Sequence, residues 1–329
     1  MQINQHARLS TAPMMDWTDR HCRVWHRQFS RHALLYTEMV TAAALVHGRA
    51  EALLAFSDEE HPVALQIGGS DPDLVGRSVQ IAEPYSYDEI NLNVGCPSDR
   101  VKSGAFGAVL MREPERVVRI VEAMRASTSR PVTVKCRIGV DEQVPEVVLP
   151  AFLRAVIAAG AERVIVHARK AWLKGLSPKE NREIPPLDYG LVRDMKQQFP
   201  EADLVLNGGI SSLDMVEAEL ARGLDGVMIG RSAYHDPEGI LGAADRRIFG
   251  QRCDDVRSET AVRRMLSYIE AERSKGTPLN QITRHMLGAF GGQPGARRWR
   301  RVLSEGASGP GAGPELVEQA MAAVTGLAA

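Results

Sequence analysis

The sequence predicts an α/β protein, a (β/α)8 TIM barrel followed by a small C-terminal helical domain. Three observations carry this. Eight short apolar runs, rich in Val, Ile and Leu, alternate with amphipathic helical segments over about 240 residues. The runs are continuous, the pattern of strands buried on both faces. No GxGxxG loop follows the first run, as a doubly wound dinucleotide-binding sheet would usually carry.

The predicted strands are Leu9–Met15, Leu34–Val40, Pro62–Gly69, Glu89–Gly95, Pro131–Gly139, Arg163–Arg169, Asp203–Gly209 and Gly226–Ser232. Among the helices between them, Pro114–Ser127 carries Pro in its first turn, and Val147–Gly160 ends on a glycine suited to a C-cap. Leu213–Gly223 has Ser211 or Ser212 as its N-cap. After about Ala243 no further strand pattern occurs. Helices are expected at Ser258–Gly276 and Leu279–Gly291. Gly292–Gly306 reads as a turn leading into a very basic helix, and a flexible joint at Gly306–Pro314 precedes a last short helix. The predicted domains are 1–243, the barrel, 244–306, a helical module, and 307–329, the joint and terminal helix.

Bulk properties narrow the function. The chain has 329 residues, is 44% hydrophobic and 25% charged, and carries a formal net charge of -1. No apolar run approaches the roughly 20 residues needed to span a bilayer. The first residues, MQINQHARLS, lack the apolar core of a secretory signal, so a cytoplasmic location is expected. Four widely spaced cysteines (Cys22, Cys96, Cys136, Cys253) form no CxxC pair, which argues against a zinc site or a disulfide framework. The charge is unevenly spread: across Arg246–Arg301, lysine and arginine exceed aspartate and glutamate by roughly eight, an excess typical of a nucleic-acid footprint.

In a barrel of this class, chemistry sits on the loops after the strands. Polar residues stand at nearly every predicted strand end: Asp16, Glu38, Gln66, Asn91, Asn93 and Cys96, Lys135 and Arg137, His167 and Arg169, Asn207, and Arg231. The last two strands end in NGG (Asn207, Gly208, Gly209) and IGR (Gly230, Arg231), glycines that expose backbone N–H groups where barrels often hold a phosphate. Lys135 lies within an apolar strand. Its type alone fits a Schiff-base lysine, a cation beside a flavin ring, or a lysine paired with a carboxylate such as Glu38. Cys96 sits just past a strand, at the start of a loop, where a thiol faces a substrate more readily than a core.

Read together, APMMDWTDRHCRVWHR, LLYTEMV, LQIGG, NLNVGCPSDRVKSGAFGAVLM, VKCRIG, VHARKAWLKGLSPKENREIPPLDY, NGGI, IGR and GQPGARRWRR resemble the tRNA-dihydrouridine synthases, with the match nearest to bacterial subfamily A. The resemblance runs from about Ala12 to about Ser304 in family order. It implies an FMN enzyme that reduces uridine in the D-loop of tRNA to 5,6-dihydrouridine, at position 20 or 20a, with NADPH as reductant. It implies flavin contacts at Pro13, Met14, Met15, Gln66, Lys135, His167, Asn207, Gly208, Gly209, Gly230 and Arg231, and so selects the second reading of Lys135. It implies Cys96 as the catalytic acid, Asn93 as a neighbour of the target base, and Lys179, Arg182, Arg297 and Arg300 as residues that seat the tRNA. No metal is expected, from the cysteine spacing, and no obligate protein partner is inferred.

The implied chemistry accounts for the thiol. Reducing the 5,6 double bond of uracil requires a hydride at C6 and a proton at C5. A cysteine thiol, ordinarily titrating near 8.5, holds that proton at neutral pH, whereas a serine is far too weak an acid. Gly104 and Gly107 suit a loop that opens for RNA and closes over the base. Three other readings remain at this level: a small-molecule FMN barrel of the dihydropyrimidine or dihydroorotate dehydrogenase type, an aldolase using Lys135, and a non-catalytic RNA-binding protein.

Overall fold

The computed structural model describes residues 3–97 and 106–326. Eight parallel strands close into a barrel in chain order: β1 (Leu9–Thr11), β2 (Leu34–Thr41), β3 (Val63–Gly68), β4 (Glu89–Val94), β5 (Val132–Arg137), β6 (Arg163–His167), β7 (Asp203–Asn207) and β8 (Gly226–Ile229). β8 returns to pair with β1, so the sheet has no free edge.

Strand alternation sorts the side chains. Val132, Val134 and Cys136 of β5 face outward and join the core beneath the surrounding helices. Thr133, Lys135 and Arg137 face the axis. The axial core is small: Tyr36, Ala64, Ile165, Val205 and Met228 fill part of it. The rest is polar. Glu89 accepts hydrogen bonds from Tyr36, Thr133 and Arg163, and Arg163 also donates through Nε to Asp203 (3.0 Å). Above them Asn91 donates to Thr133 (2.8 Å). The barrel floor is therefore a buried ion pair roofed by an amide, and apolar side chains complete the layer.

All eight predicted strands are present, and their ends differ by a few residues. The first stops at Thr11 instead of Met15, although the Ala12 N–H still reaches the Ile229 carbonyl (2.8 Å). Pro13 has no N–H to extend a ladder. The Met14 N–H is taken by the Thr18 hydroxyl (2.9 Å), and Asp16 turns the chain at φ 65°. The helix Pro114–Ser127 matches its expected span, and Ser212 caps Leu213–Ala221 through the Met215 N–H (3.3 Å).

After β8 the chain is helical. Helices at Ser258–Ser274, Leu279–Thr283, Ala296–Gly306 and Pro314–Thr325 pack together, and their apolar faces are continuous with the core around the barrel. The expected helix over Leu279–Gly291 is a correction: it ends at Thr283, and turns follow through Gly292. Phe290 at φ 63° and Gly292 at φ 79° cannot continue a helix. Tertiary contacts hold the chain in that path. His285, fully buried, reaches Asp19 (3.0 Å) through Nε2, and its Nδ1 meets the Tyr234 hydroxyl (3.1 Å). These bonds join the tail to the loops after β1 and β8. Among the described residues no helix is long and apolar enough to cross a membrane.

Candidate active site

Strand register brings the predicted residues to one end of the barrel. Asn93 is level with Lys135, Arg137 with His167, His167 with Asn207, and Asn207 with Met228. Gln66 stands one strand before Asn91, to which its Nε2 donates (2.8 Å). Its Oε1 accepts from Asn93 Nδ2 (2.8 Å). The Asn93 Oδ1 in turn accepts from the backbone N–H groups of Gly95 (3.1 Å) and Cys96 (3.0 Å). A relay of amides thus sets the direction in which the chain leaves β4. Cys96 is half-buried there, and its carbonyl accepts from the Ala108 N–H (2.9 Å), closing the base of the loop. Gly107, at φ 70°, lies at that closure, whereas Gly104 lies outside the described residues. The other thiols are elsewhere: Cys22 and Cys136 are fully buried, and Cys253 is exposed. Burial pushes the Cys136 thiol up to about 12.

Lys135 donates to Asn207 Oδ1 (2.9 Å), and Asn207 Nδ2 donates to the Met228 carbonyl (2.8 Å). Its partner is an amide rather than Glu38, and among the described residues no carboxylate bonds the ammonium to offset its loss of water. Burial, then the Arg137 charge, pushes it down to about 7. The unfolded chain protonates the same amine up to about 10.4. Between these values the unfolded state binds more protons, so this group's contribution to stability rises with pH. The ligand-free protein should therefore show a steeper rise of Tm from pH 7 to 9 than its Lys135→Met variant. Parallel slopes in thermal melts would reject this.

His167 packs over Gly208. A β-carbon on Gly208 would come within 2.7 Å of the imidazole, and the residue sits at φ 113°, so glycine is required on both counts. Burial first, then the cations Arg137, Lys135, Arg169 and Arg182, hold the imidazole well below its ordinary value, leaving it neutral at pH 7. Gly209 lies at φ 70°, and the Tyr189 hydroxyl donates to the Gly208 carbonyl. Gly230 precedes the short helix Arg231–His235 and lies near Met14. Pro13 and Met14 are partly buried, while Met15 is 51% exposed. Arg231 pairs with Glu183 (2.5 Å), half in solvent.

Lys179 and Arg182 are exposed on the loop after β6. Arg297 and Arg300 lie far along the chain on the helix Ala296–Gly306, also exposed, as are Arg298 and Arg301. Trp299 is not a stacking platform. It is fully buried, edge-on to Phe290, with its indole N–H on the Met286 carbonyl (3.1 Å). The tryptophan anchors the helix, and the arginines face water.

Some functional geometry escaped the sequence-based assignment. Arg137 and Arg169 were visible as polar strand ends without a role, though spacing of two from Lys135 already put Arg137 on the same face. Arg169 is partly exposed, donates to the Pro185 carbonyl, and has a buried Nε with no hydrogen-bond partner among the described residues. Glu183, Tyr189 and the Asp19–His285 contact had no local signal.

Comparison with known proteins adds to this geometry. The sequence profile of the family described as "Dihydrouridine synthase (Dus)" matches residues 10–325. The chain belongs to the dihydrouridine synthase family. This synthase is 54% identical over 318 residues to the "tRNA-dihydrouridine(20/20a) synthase" of Vibrio cholerae, covering 96% of each chain. It is 55% identical over 320 residues to the protein of the same name from Escherichia coli K12, covering 97% of this chain and 92% of that one. Among solved structures, morphinone reductase (TM-score 0.52, 12% identity, 77% of this chain and 88% of that chain) shares the synthase's barrel fold. So does the old yellow enzyme homologue from Zymomonas mobilis (TM-score 0.53, 12% identity, 77% and 92%).

Proposed function

We propose that this synthase reduces uridine to 5,6-dihydrouridine in the D-loop of tRNA, at position 20 or 20a, with FMN as its cofactor and NADPH as reductant. The observation that carries the reading is the convergence at one barrel mouth of Cys96, Asn93, Gln66, Lys135, His167 and Asn207, in a chain more than half identical to proteins named for that reaction.

The donor set fits FMN. Lys135 and the Gln66 amide offer N–H groups at the floor of the mouth. Gly208 and Gly209, both at positive φ, and Gly230 before Arg231 bring backbone close, and the Arg169 Nε, whose guanidinium feels the Arg231 charge, is a buried donor with no partner among the described residues. Pro13, Met14, Met15, Gln66, Lys135 and His167 would hold the ring. Asn207 to Gly209 with Gly230 and Arg231 would hold the phosphate, for which Glu183 must yield Arg231. When bound, the flavin supplies hydride to C6 of the uracil.

The protein's own part is positional and acidic. The Asn93 carbonyl oxygen orients the Cys96 backbone, and Cys96 gives its thiol proton to C5 as charge develops there, regaining one from solvent. His167, neutral, adds no charge repelling a cationic neighbour, and Lys135, pushed down to about 7 in the ligand-free protein, would supply positive charge beside the ring once an anionic group is bound there. The target nucleotide leaves its stack to reach this mouth. Lys179 and Arg182 beside the mouth, and Arg297 and Arg300 on the tail, grip the phosphate backbone. In this reading residues 1–243 are the catalytic domain, 244–306 the tRNA-binding domain and 307–329 a joint and last helix, in a cytoplasmic enzyme.

A visible flavin spectrum on the purified protein, bleached by NADPH and restored by unmodified tRNA but not by free uridine, is the expected result. A colourless protein, or restoration by free uridine alone, rejects the proposal. Replacing Arg297 and Arg300 together with glutamine should reduce tRNA affinity about tenfold or more at moderate salt and flatten its salt dependence, with flavin content unchanged. Equal affinity in filter-binding titrations would remove the tail from the interface.

A further inference from the structure

We propose that Arg137 is a positioning residue that couples the RNA-contacting loop after β6 to the Cys96 peptide. The inference rests on the assignment of Cys96 to proton transfer and of Lys179 and Arg182 to tRNA contact.

Arg137 closes β5, is 3% exposed, and is bonded by no carboxylate among the described residues. Its guanidinium is spent on backbone carbonyls. Nε donates to the Gly95 carbonyl (3.1 Å), and Nη1 is shared between the carbonyls of Lys170 (3.3 Å) and Asn181 (3.0 Å). The Gly95 carbonyl and the Cys96 N–H belong to one peptide unit. Arg137 holds its oxygen, and Asn93 Oδ1 holds its nitrogen (3.0 Å). That plane sets the direction of the Cys96 side chain.

The same guanidinium grips the Lys170 and Asn181 carbonyls, the two ends of a segment that bears Lys179 and leads directly into Arg182. Within that segment the fully buried Asn181 works as a staple: its Oδ1 accepts from the Trp172 N–H (2.7 Å), and its Nδ2 donates to the carbonyls of Trp172 (2.9 Å), Leu176 and Ser177. Ala171 runs beside Val140, and the Leu173 N–H reaches Asp141 (2.8 Å), so the segment is tied to the loop after β5 as well as to Arg137. A planar guanidinium transmits displacement between its partners, since moving one carbonyl rotates the whole fork. A lysine keeps the charge and loses the fork. Phosphate docking on Lys179 and Arg182 is then felt as a reorientation of the Cys96 peptide, and the acid is aligned when the correct RNA is seated.

The test uses the full-length purified protein and iodoacetamide, with Cys96 alkylation followed by peptide mass spectrometry and exposed Cys253 as internal reference. Arg137→Lys should change the Cys96 rate by roughly tenfold, the scale of one lost charge-assisted hydrogen bond, and Asn181→Ala, which loosens the carbonyl that Arg137 holds, should change it in the same direction by up to about as much. The double variant should go no further than the single ones, because both act through one link. At saturating tRNA, Arg137→Lys should lower kcat for uridine reduction about tenfold with KM for tRNA within twofold, and NADPH should bleach the flavin at the parental rate. Additive alkylation effects, or a parental Cys96 rate in Asn181→Ala while trypsin cuts faster at Lys170 to Lys179, would overturn the coupling. A KM change without a kcat change would do so too. If Arg137→Lys does not fold, Asn181→Ala alone still decides through alkylation against trypsin cleavage. The alkylation arm needs neither flavin nor RNA, so it reads the link even if the parent proves inactive on tRNA.

Discussion

Cys96→Ala should lower tRNA uridine reduction by about 10²–10⁴-fold, the usual contribution of a positioned general acid, while leaving the protein yellow and its tRNA affinity close to parental. The separation of effects follows from the site's build. The Cys96 backbone is held by Asn93 and tied to Ala108 through its carbonyl, none of which needs the sulfur. No other thiol can substitute: Cys22 and Cys136 are sealed in the core, and Cys253 sits in the tail. Reduction of the flavin by NADPH should survive, so the reductant should still bleach it, and only reoxidation by tRNA should stall. Anaerobic stopped-flow with the two half-reactions separated measures this. Reoxidation at the parental rate would assign the proton to another group.

The second large effect lies at the far end of the barrel and concerns stability. Glu89→Leu removes one buried carboxylate partner of Arg163, which is 1% exposed, keeps Asp203 as its anionic partner among the described residues, and leaves the Tyr36 and Thr133 hydroxyls without this acceptor. Removing one member of a buried ion pair costs about 3–5 kcal/mol, so calorimetric Tm should fall by roughly 10 °C. Burial already pushes the Asp203 carboxyl up to about 6 against the pull of Arg163, a sign of how costly charge is there. The double variant Glu89→Leu with Arg163→Met should be more stable than Glu89→Leu alone, because it removes a buried cation that has lost the Glu89 carboxylate. If the double variant is the less stable of the two, packing rather than charge governs this layer.

The eight strands were readable because a parallel barrel buries both faces of each, and the resulting apolar runs survive as a pattern in one dimension. Their ends were less so. At β1 the decision fell to Pro13, to the Thr18 hydroxyl and to a left-handed Asp16, none of which alters hydropathy. The helix expected across Leu279–Gly291 failed for a related reason: its apolar spacing is helical, but His285 is claimed by Asp19 and Tyr234 from distant loops, and tertiary contacts outweighed local propensity. Trp299 stands among four arginines, and its role as the helix's anchor follows only from its packing against Phe290 and its bond to the Met286 carbonyl.

By itself the amino-acid order determined which residues stand at strand ends, since period-two alternation places Asn91 and Asn93, or Lys135 and Arg137, on one face whatever the rest of the chain does. That was enough to gather the candidate site and to single out Cys96. Tertiary structure alone decided who holds whom: Lys135 on Asn207 rather than on Glu38, Arg231 on Glu183, and Arg137 spanning the Gly95 carbonyl and a loop more than thirty residues on. Hydrogen bonds between segments depend on loop paths, which the closure of the ring settles, and hydropathy carries no record of them.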